Sequence, residues 1–96
     1  MENQMTINDW ARSVGINADP RRSVERAGEE LGEALVEIDA GQFLAAGIEL
    51  ADVAICLYVA ASRIGVNLQA LIDAKMEVNR KREWRLDESG CAYHVS

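Results

Sequence analysis

The sequence predicts an all-α fold, a four-helix-bundle-type subunit, on three observations. Apolar residues recur at steps of three and four along most of the chain, and no strand-type alternation runs for more than a few residues. Gly15, Gly41 and Gly65 follow the ends of the periodic stretches, where a helix readily stops on a left-handed residue. The single proline, Pro20, stands directly behind Asp19. That is a capping carboxylate followed by the residue whose missing N–H costs nothing at the first helical position.

In chain order, the first helix is expected to be capped by Thr6, to run through Trp10 and to end near Gly15. A loop leads to Asp19. The second helix spans Pro20 to about Ala40, stops at Gly41, and carries Val24, Gly28, Leu31, Leu35 and Ile38 as its core stripe. The third runs from Gln42 to about Ile64 and closes on Gly65. Its apolar residues, among them Leu44, Ile48, Val53, Leu57 and Val59, lie nearly all round the axis, so it needs cover on most sides. A chain of 96 residues offers few neighbours for that, and a second subunit is expected to help. The fourth helix starts at the capping residue Asn67 and continues to about Trp84, and the tail RLDESGCAYHVS reads as a loop or an arm. The whole is one domain, 1–96: an N-terminal helix and loop (1–19), a helical core (20–84) and a C-terminal arm (85–96).

Sixteen acidic residues against ten basic ones give a net charge of -6 and a pI near 4.7. Such a balance argues against a broad surface for gripping nucleic-acid phosphates. Cys56 and Cys91 are too few for a disulfide-stapled mini-domain, and Cys56, inside an apolar run, suits a small hydrophobe. MENQMTINDW lacks the pattern of a secretory signal. The longest apolar run, Val53 to Ala61, is half of the roughly 18 residues a membrane span needs. The expectation is a reduced, cytoplasmic protein with neither nucleic acid nor membrane as partner.

The chemistry is carried by carboxylates that a plain core does not accommodate. Glu49 and Asp52 are three apart on the third helix and so share one side of it. Removing a carboxylate from water costs several kcal/mol unless something positive meets it. Glu30 and Glu33 repeat that spacing on the second helix. If the two helices fold back about Ala40 and Gly41, Glu33 lies level with Glu49 and Glu30 with Asp52, within about one helical rise of ~1.5 Å. Two facing pairs make an oxygen-donor box of the kind Mg²⁺ occupies together with substrate phosphates. Between Glu25 and Asp52 there are eight acidic residues and one basic residue, Arg26. Glu25, Glu29 and Glu37 lie off the apolar stripe and can be read as a solvated face. A di-iron site would need Glu-x-x-His motifs, and the only histidine, His94, lies in the tail. No EF-hand loop is present, and Cys91 with His94 make only half of a zinc site.

Charge reverses on the fourth helix. Its inward stripe begins with Leu68, Leu71 and Ile72 and continues through Lys75, Met76, Asn79 and Arg82. Cations suit a helix C-terminus in any protein, which covers Arg80, Lys81 and Arg85. Lys75 and Asn79 on the inward side either pair with the carboxylate cluster or meet an anionic ligand beside the core, and one carrying several phosphates suits a Mg²⁺ box flanked by cations.

Glu29, Glu30 and Glu33 with Glu49 and Asp52 form an EExxE…ExxD pattern that resembles the motif of the MazG-like all-α NTP pyrophosphatases. Glu49 to Trp84, with its KMxxNRxR segment, is similar to the second half of the dCTP pyrophosphatase and MazG branches, and the resemblance spans Ser23 to Trp84. It implies Mg²⁺-dependent hydrolysis of a nucleoside triphosphate to monophosphate and pyrophosphate, a house-cleaning role on canonical or modified deoxynucleotides. By the same resemblance Glu30, Glu33, Glu49 and Asp52 hold the metal, and Lys75, Asn79, Arg82 and Arg63 meet phosphates or sugar. The general base stays open between Glu29, Glu33 and a water on the metal. The family also implies a homodimer or homotetramer whose bundles complete each site. Trp10 reads either as a core residue or, by resemblance to the dCTP enzymes, as the aromatic that stacks on the base, with Trp84 and Tyr93 as alternatives. His94 reads as an arm residue packing on a neighbour. Two other functions remain: a non-catalytic helical interaction module with a structural cation, and a phosphoribosyl-ATP pyrophosphohydrolase, which the KMxxNRxR resemblance disfavours.

Overall fold

The computed structural model describes residues 1–16 and 19–95. They form α1 (Gln4–Ser13), α2 (Pro20–Asp39), α3 (Phe43–Arg63) and α4 (Leu68–Lys81), followed by β1 (Trp84–Leu86) and β2 (Ala92–His94). The four helices expected from the sequence are present. The tail differs: β1 and β2 pair antiparallel, with Trp84 opposite His94 and Leu86 opposite Ala92. Asp87 explains the turn, because its Oδ1 accepts from Ser89 N, Ser89 Oγ and Cys91 N, a side-chain turn that local periodicity does not reveal.

Helix ends follow side-chain chemistry. Asn3, rather than Thr6, caps α1: Asn3 Oδ1 accepts from Thr6 N, and Asn3 N donates to Thr6 Oγ1, both at 2.9 Å. Asparagine is the better cap, and the threonine three residues on returns the bond. Asp19 accepts from Arg22 N at 2.8 Å and Asn67 from Ala70 N at 2.9 Å. Gly41 adopts φ 72° and Gln42 N donates to Glu37 O at 2.8 Å, which turns α2 sharply into α3. Helix α4 ends three residues short of the expected Trp84, because Arg82 is extended at φ -85°, ψ 150°.

Helices α2 and α3 pack along each other, α1 leans on α3, and α4 stands off the pair. Gln4 ties the corner together, donating to Ser62 Oγ and Val66 O and accepting from Leu68 N. The core is small in every sense: Ala11, Ala27, Ala34, Ala46, Val53, Val59, Ala60 and Ala61. On α2 the buried row is Ser23, Ala27, Glu30 and Ala34. The expected stripe lies one residue out of phase, with Val24, Leu31, Leu35 and Ile38 all exposed. Alanines let α2 approach α3 closely, and the larger apolar row faces away. The Cα radius of gyration is 15.8 Å, against about 12.5 Å for a compact domain of this length. This is an open chain.

Candidate functional site

The buried row of α2 contains one acid. Glu30 keeps only 5% of its surface exposed, and α3 turns Glu49 and Asp52 towards it. Carboxylate oxygens of Glu30, Glu49 and Asp52 lie within 4.8 Å of one another. Glu33 is exposed, yet close enough to act on the ionisation of both Glu30 and Glu49. The fold-back of α2 on α3 therefore brings the four acids together, three tightly and Glu33 at the edge.

So many carboxylates cannot all ionise in place. Glu49 is pushed up to about 7, first by its hydrogen bond with Glu30, then by burial, then by Glu33. Glu30 is held below the usual carboxylate range, chiefly because it accepts from Glu49, with the Arg26 charge assisting and burial opposing. A shared proton is what bridges the two. Even so, Glu49 Oε2 is buried with no hydrogen-bond partner. A convergent set of hard oxygen donors, one of them orphaned, fits a divalent cation that prefers oxygen.

Two arginines that sequence reasoning left aside stand next to this cluster. Arg26 Nη2 lies 2.9 Å from Glu30 Oε1 and its Nη1 3.6 Å from Glu29 Oε2. Arg22 Nη1 lies 3.1 Å from Glu29 Oε1. Glu29 thus sits outside the cluster, half-exposed between two guanidiniums. The signal was present: Arg22, Arg26 and Glu30 follow one another at i, i+4 on a single face.

A cleft of about 420 Å³ opens beside the acids, with Trp10, Arg22, Arg26, Glu30, Asp52 and Cys56 on its walls. Trp10 therefore faces the candidate site, half exposed. The Cys56 thiol is pushed up by burial and then by the Glu30 charge, so it is a neutral wall. Arg63 is engaged elsewhere: it donates to Asn8 Oδ1 and Ile16 O, each at 2.9 Å, and so pins α1 and the chain after it to α3. Lys75 borders a shallow apolar groove on α4 with Leu68, Leu71, Ile72 and Met76. Asn79 O accepts from Trp84 Nε1 at 2.7 Å, while Asn79 Oδ1 is buried without a partner. Arg82 is the cap of α4. Within one chain these α4 residues are not brought to the acids. Nor are the other aromatics: Trp84 meets His94 edge to face at 5.7 Å, and Tyr93 pairs with Arg85 in the hairpin.

No protein-family model matches the sequence. The chain is 35% identical over 92 residues to a dATP/dGTP diphosphohydrolase of Salmonella phage PMBT28, covering 96% of this chain and 30% of that protein. It is 30% identical over 94 residues to a dATP/dGTP diphosphohydrolase of Cyanophage S-2L, covering 98% of this chain and 86% of the relative. Among solved structures it matches the Cyanophage S-2L MazG-like pyrophosphohydrolase bound to dGDP and three catalytic Mn²⁺ ions per active site. There the TM-score is 0.74 at 29% identity, over 97% of this chain and 92% of that one.

Proposed function

This chain belongs to the MazG-like all-α NTP pyrophosphatases, hydrolases of nucleotide anhydrides, and from that membership we propose that it is a Mg²⁺-dependent deoxynucleoside triphosphate pyrophosphohydrolase. It converts a dNTP to the monophosphate and pyrophosphate. The relatives' substrates favour a purine base. One observation carries the reading: three carboxylates converge within 4.8 Å, and two of them, Glu30 and Asp52, line a cleft that Trp10 shares.

Glu30, Glu49 and Asp52, with Glu33 at the edge, would hold the divalent ion. When bound, it offsets charge growing on the phosphates and polarises a phosphoryl oxygen. The chain's own residues do the rest. Glu33, exposed at the rim of the cluster, would accept a proton from water as that water attacks the α-phosphorus. The bond from the α-phosphorus to the bridging oxygen then breaks, and pyrophosphate leaves. Trp10 offers its face to the base, a contact worth roughly 1–3 kcal/mol where bases stack on aromatics.

A second copy completes the site. Val24, Leu31, Leu35 and Ile38 on α2 and Leu71, Ile72 and Met76 on α4 are exposed in one chain, and Lys75, Asn79 and Arg82 lie off the acids. A homodimer or homotetramer covers those faces and carries the α4 cations to a neighbour's cleft. Helix α3, with a mean hydropathy of 1.9 over an 18-residue stretch, is apolar and long enough to cross a membrane. Glu49 and Asp52, set towards the acids of α2, favour cover by protein instead. The protein then works in the cytoplasm, with neither a membrane nor a nucleic acid as partner.

The test is a panel of nucleoside triphosphates incubated with Mg²⁺ and separately with Mn²⁺, read for both products. Monophosphate and pyrophosphate in equal amounts are expected. Binding without turnover on every member would leave a non-catalytic helical module in its place.

A further inference from the structure

Arg22 and Arg26 have no place in the metal site, and their pairing is not that of an ordinary solvated helix face. Arg22 reaches Glu29, seven residues on, and Arg26 reaches the buried Glu30. Both guanidiniums therefore extend along α2 towards the acids, and both line the cleft that contains Glu30 and Asp52. Like charges one turn apart repel. Here Glu29 lies between them, at 3.1 Å from one and 3.6 Å from the other.

Charge counting gives the consequence. Two guanidiniums face two carboxylates, Glu29 and Glu30, and the set is neutral. Glu30 is also one of the three acids that converge on the candidate cation position. Once Glu30 is committed to a cation, Glu29 alone answers both arginines. One positive charge is then unmatched, at the edge of the cluster and on the wall of the cleft. A planar guanidinium fork is suited to phosphate oxygens.

Resting on the pyrophosphohydrolase reading, we propose that Arg22 and Arg26 are phosphate-binding residues of this site and that Glu29 is a positioning residue that holds them. Arg26 exchanges Glu30 for a non-bridging oxygen of the nucleotide, and Arg22, one turn further along the cleft, supports the same phosphate chain. Substrate binding is thereby coupled to metal binding through one side chain.

The experiment measures two affinities on the full chain: that for Mn²⁺ alone, and that for the α,β-imido analogue of dATP in saturating Mn²⁺. For R26Q the analogue binds about ten- to a hundredfold more weakly, the range of a lost charged hydrogen bond. Affinity for Mn²⁺ alone stays the same or tightens, because a competing cation has left Glu30. R26K recovers part of the loss, and R22Q shows a smaller one. E29Q weakens the analogue and leaves Mn²⁺ affinity unchanged, which a metal ligand would not do. Arg26 is more than half exposed, so circular dichroism of R26Q matching wild type is expected. Unchanged analogue affinity in both R26Q and R22Q overturns the proposal while wild-type turnover upholds the enzyme. A loss of Mn²⁺ affinity in R26Q that matches the loss for the analogue also overturns it, since the arginine would then merely hold the acids. A wild-type protein that binds Mn²⁺ and no nucleotide overturns the enzymatic reading and this assignment with it.

Discussion

The α2–α3 hairpin and the region that follows it obey opposite rules. In the hairpin, small residues meet across a close interface and enclose an acid that is 5% exposed. In α4 no residue is buried, and every residue of β1 and β2 is exposed. Yet α4 is as well capped as α2, and its apolar residues fall at helical spacing just as clearly. Helical periodicity therefore states that a face will be covered. It does not state by what. The hairpin finds its cover within the chain, at the expense of crowding carboxylates, whereas α4 presents Leu71, Ile72 and Met76 to whatever comes next.

That contrast is broken most severely at the acids. Asp52→Asn or Glu49→Gln should lower turnover by about a hundredfold or more, as losing a charged group of a catalytic centre does. Helix content should stay near wild type, because removing one of several repelling carboxylates relieves the hairpin. Full activity in both variants, measured as pyrophosphate release, would separate the cluster from function. Next in size is the α4 face. Leu71→Asp should convert the assembly to a monomer by light scattering and take activity with it; an unaltered mass would show that this face needs no cover. Lys75→Ala should raise KM about tenfold, the scale of one charged phosphate contact, with Mn²⁺ affinity unmoved in a titration without nucleotide.

A gentler test uses pH. The folded protein holds a proton on Glu49 up to about 7, whereas the ordinary value is 4.5. The folded state therefore binds more protons than the unfolded chain between those values. The stability this provides is complete below the ordinary value and is lost as pH rises through the folded one. Glu30, shifted downwards, acts only in the acid range below it. Thermal melts without divalent ions should accordingly show Tm falling between about pH 5 and pH 7 and levelling above that, and saturating Mg²⁺ should flatten that fall. A flat profile in both conditions would mean that the carboxylates do not share a proton. The smallest effect belongs to α1: Asn3→Ala should cost about 1 kcal/mol of stability in urea melts through its lost cap, with activity retained.

Much of this was legible in the chain. Asp19–Pro20, Gly41, Gly65 and Asn67 mark helix ends through bonds made within five residues, so no distant contact is needed to read them. The equal distances of Glu30 and Asp52, and of Glu33 and Glu49, from the turn at Gly41 foretold their convergence, because a sharp reversal leaves antiparallel helices little choice of register. The turn around Asp87 was missed, since three bonds to one side-chain oxygen leave no periodic trace. Arg22 and Arg26 do not stand out in the sequence, because their partners are acids on the same helix and such pairs usually mean only a solvated face.

The sequence alone thus determined the helices, their ends and the heights at which the acids lie, all of which depend on bonds and spacings local to each segment. Tertiary structure decided how each helix is rotated about its own axis. A period of 3.6 residues is satisfied equally by the Leu31–Leu35 row and by the Ala27–Glu30–Ala34 row beside it. What selected the second was the close approach that alanines allow against α3. That rotation set Glu30 inside, Arg26 on the lip of the cleft and the larger apolar residues outside.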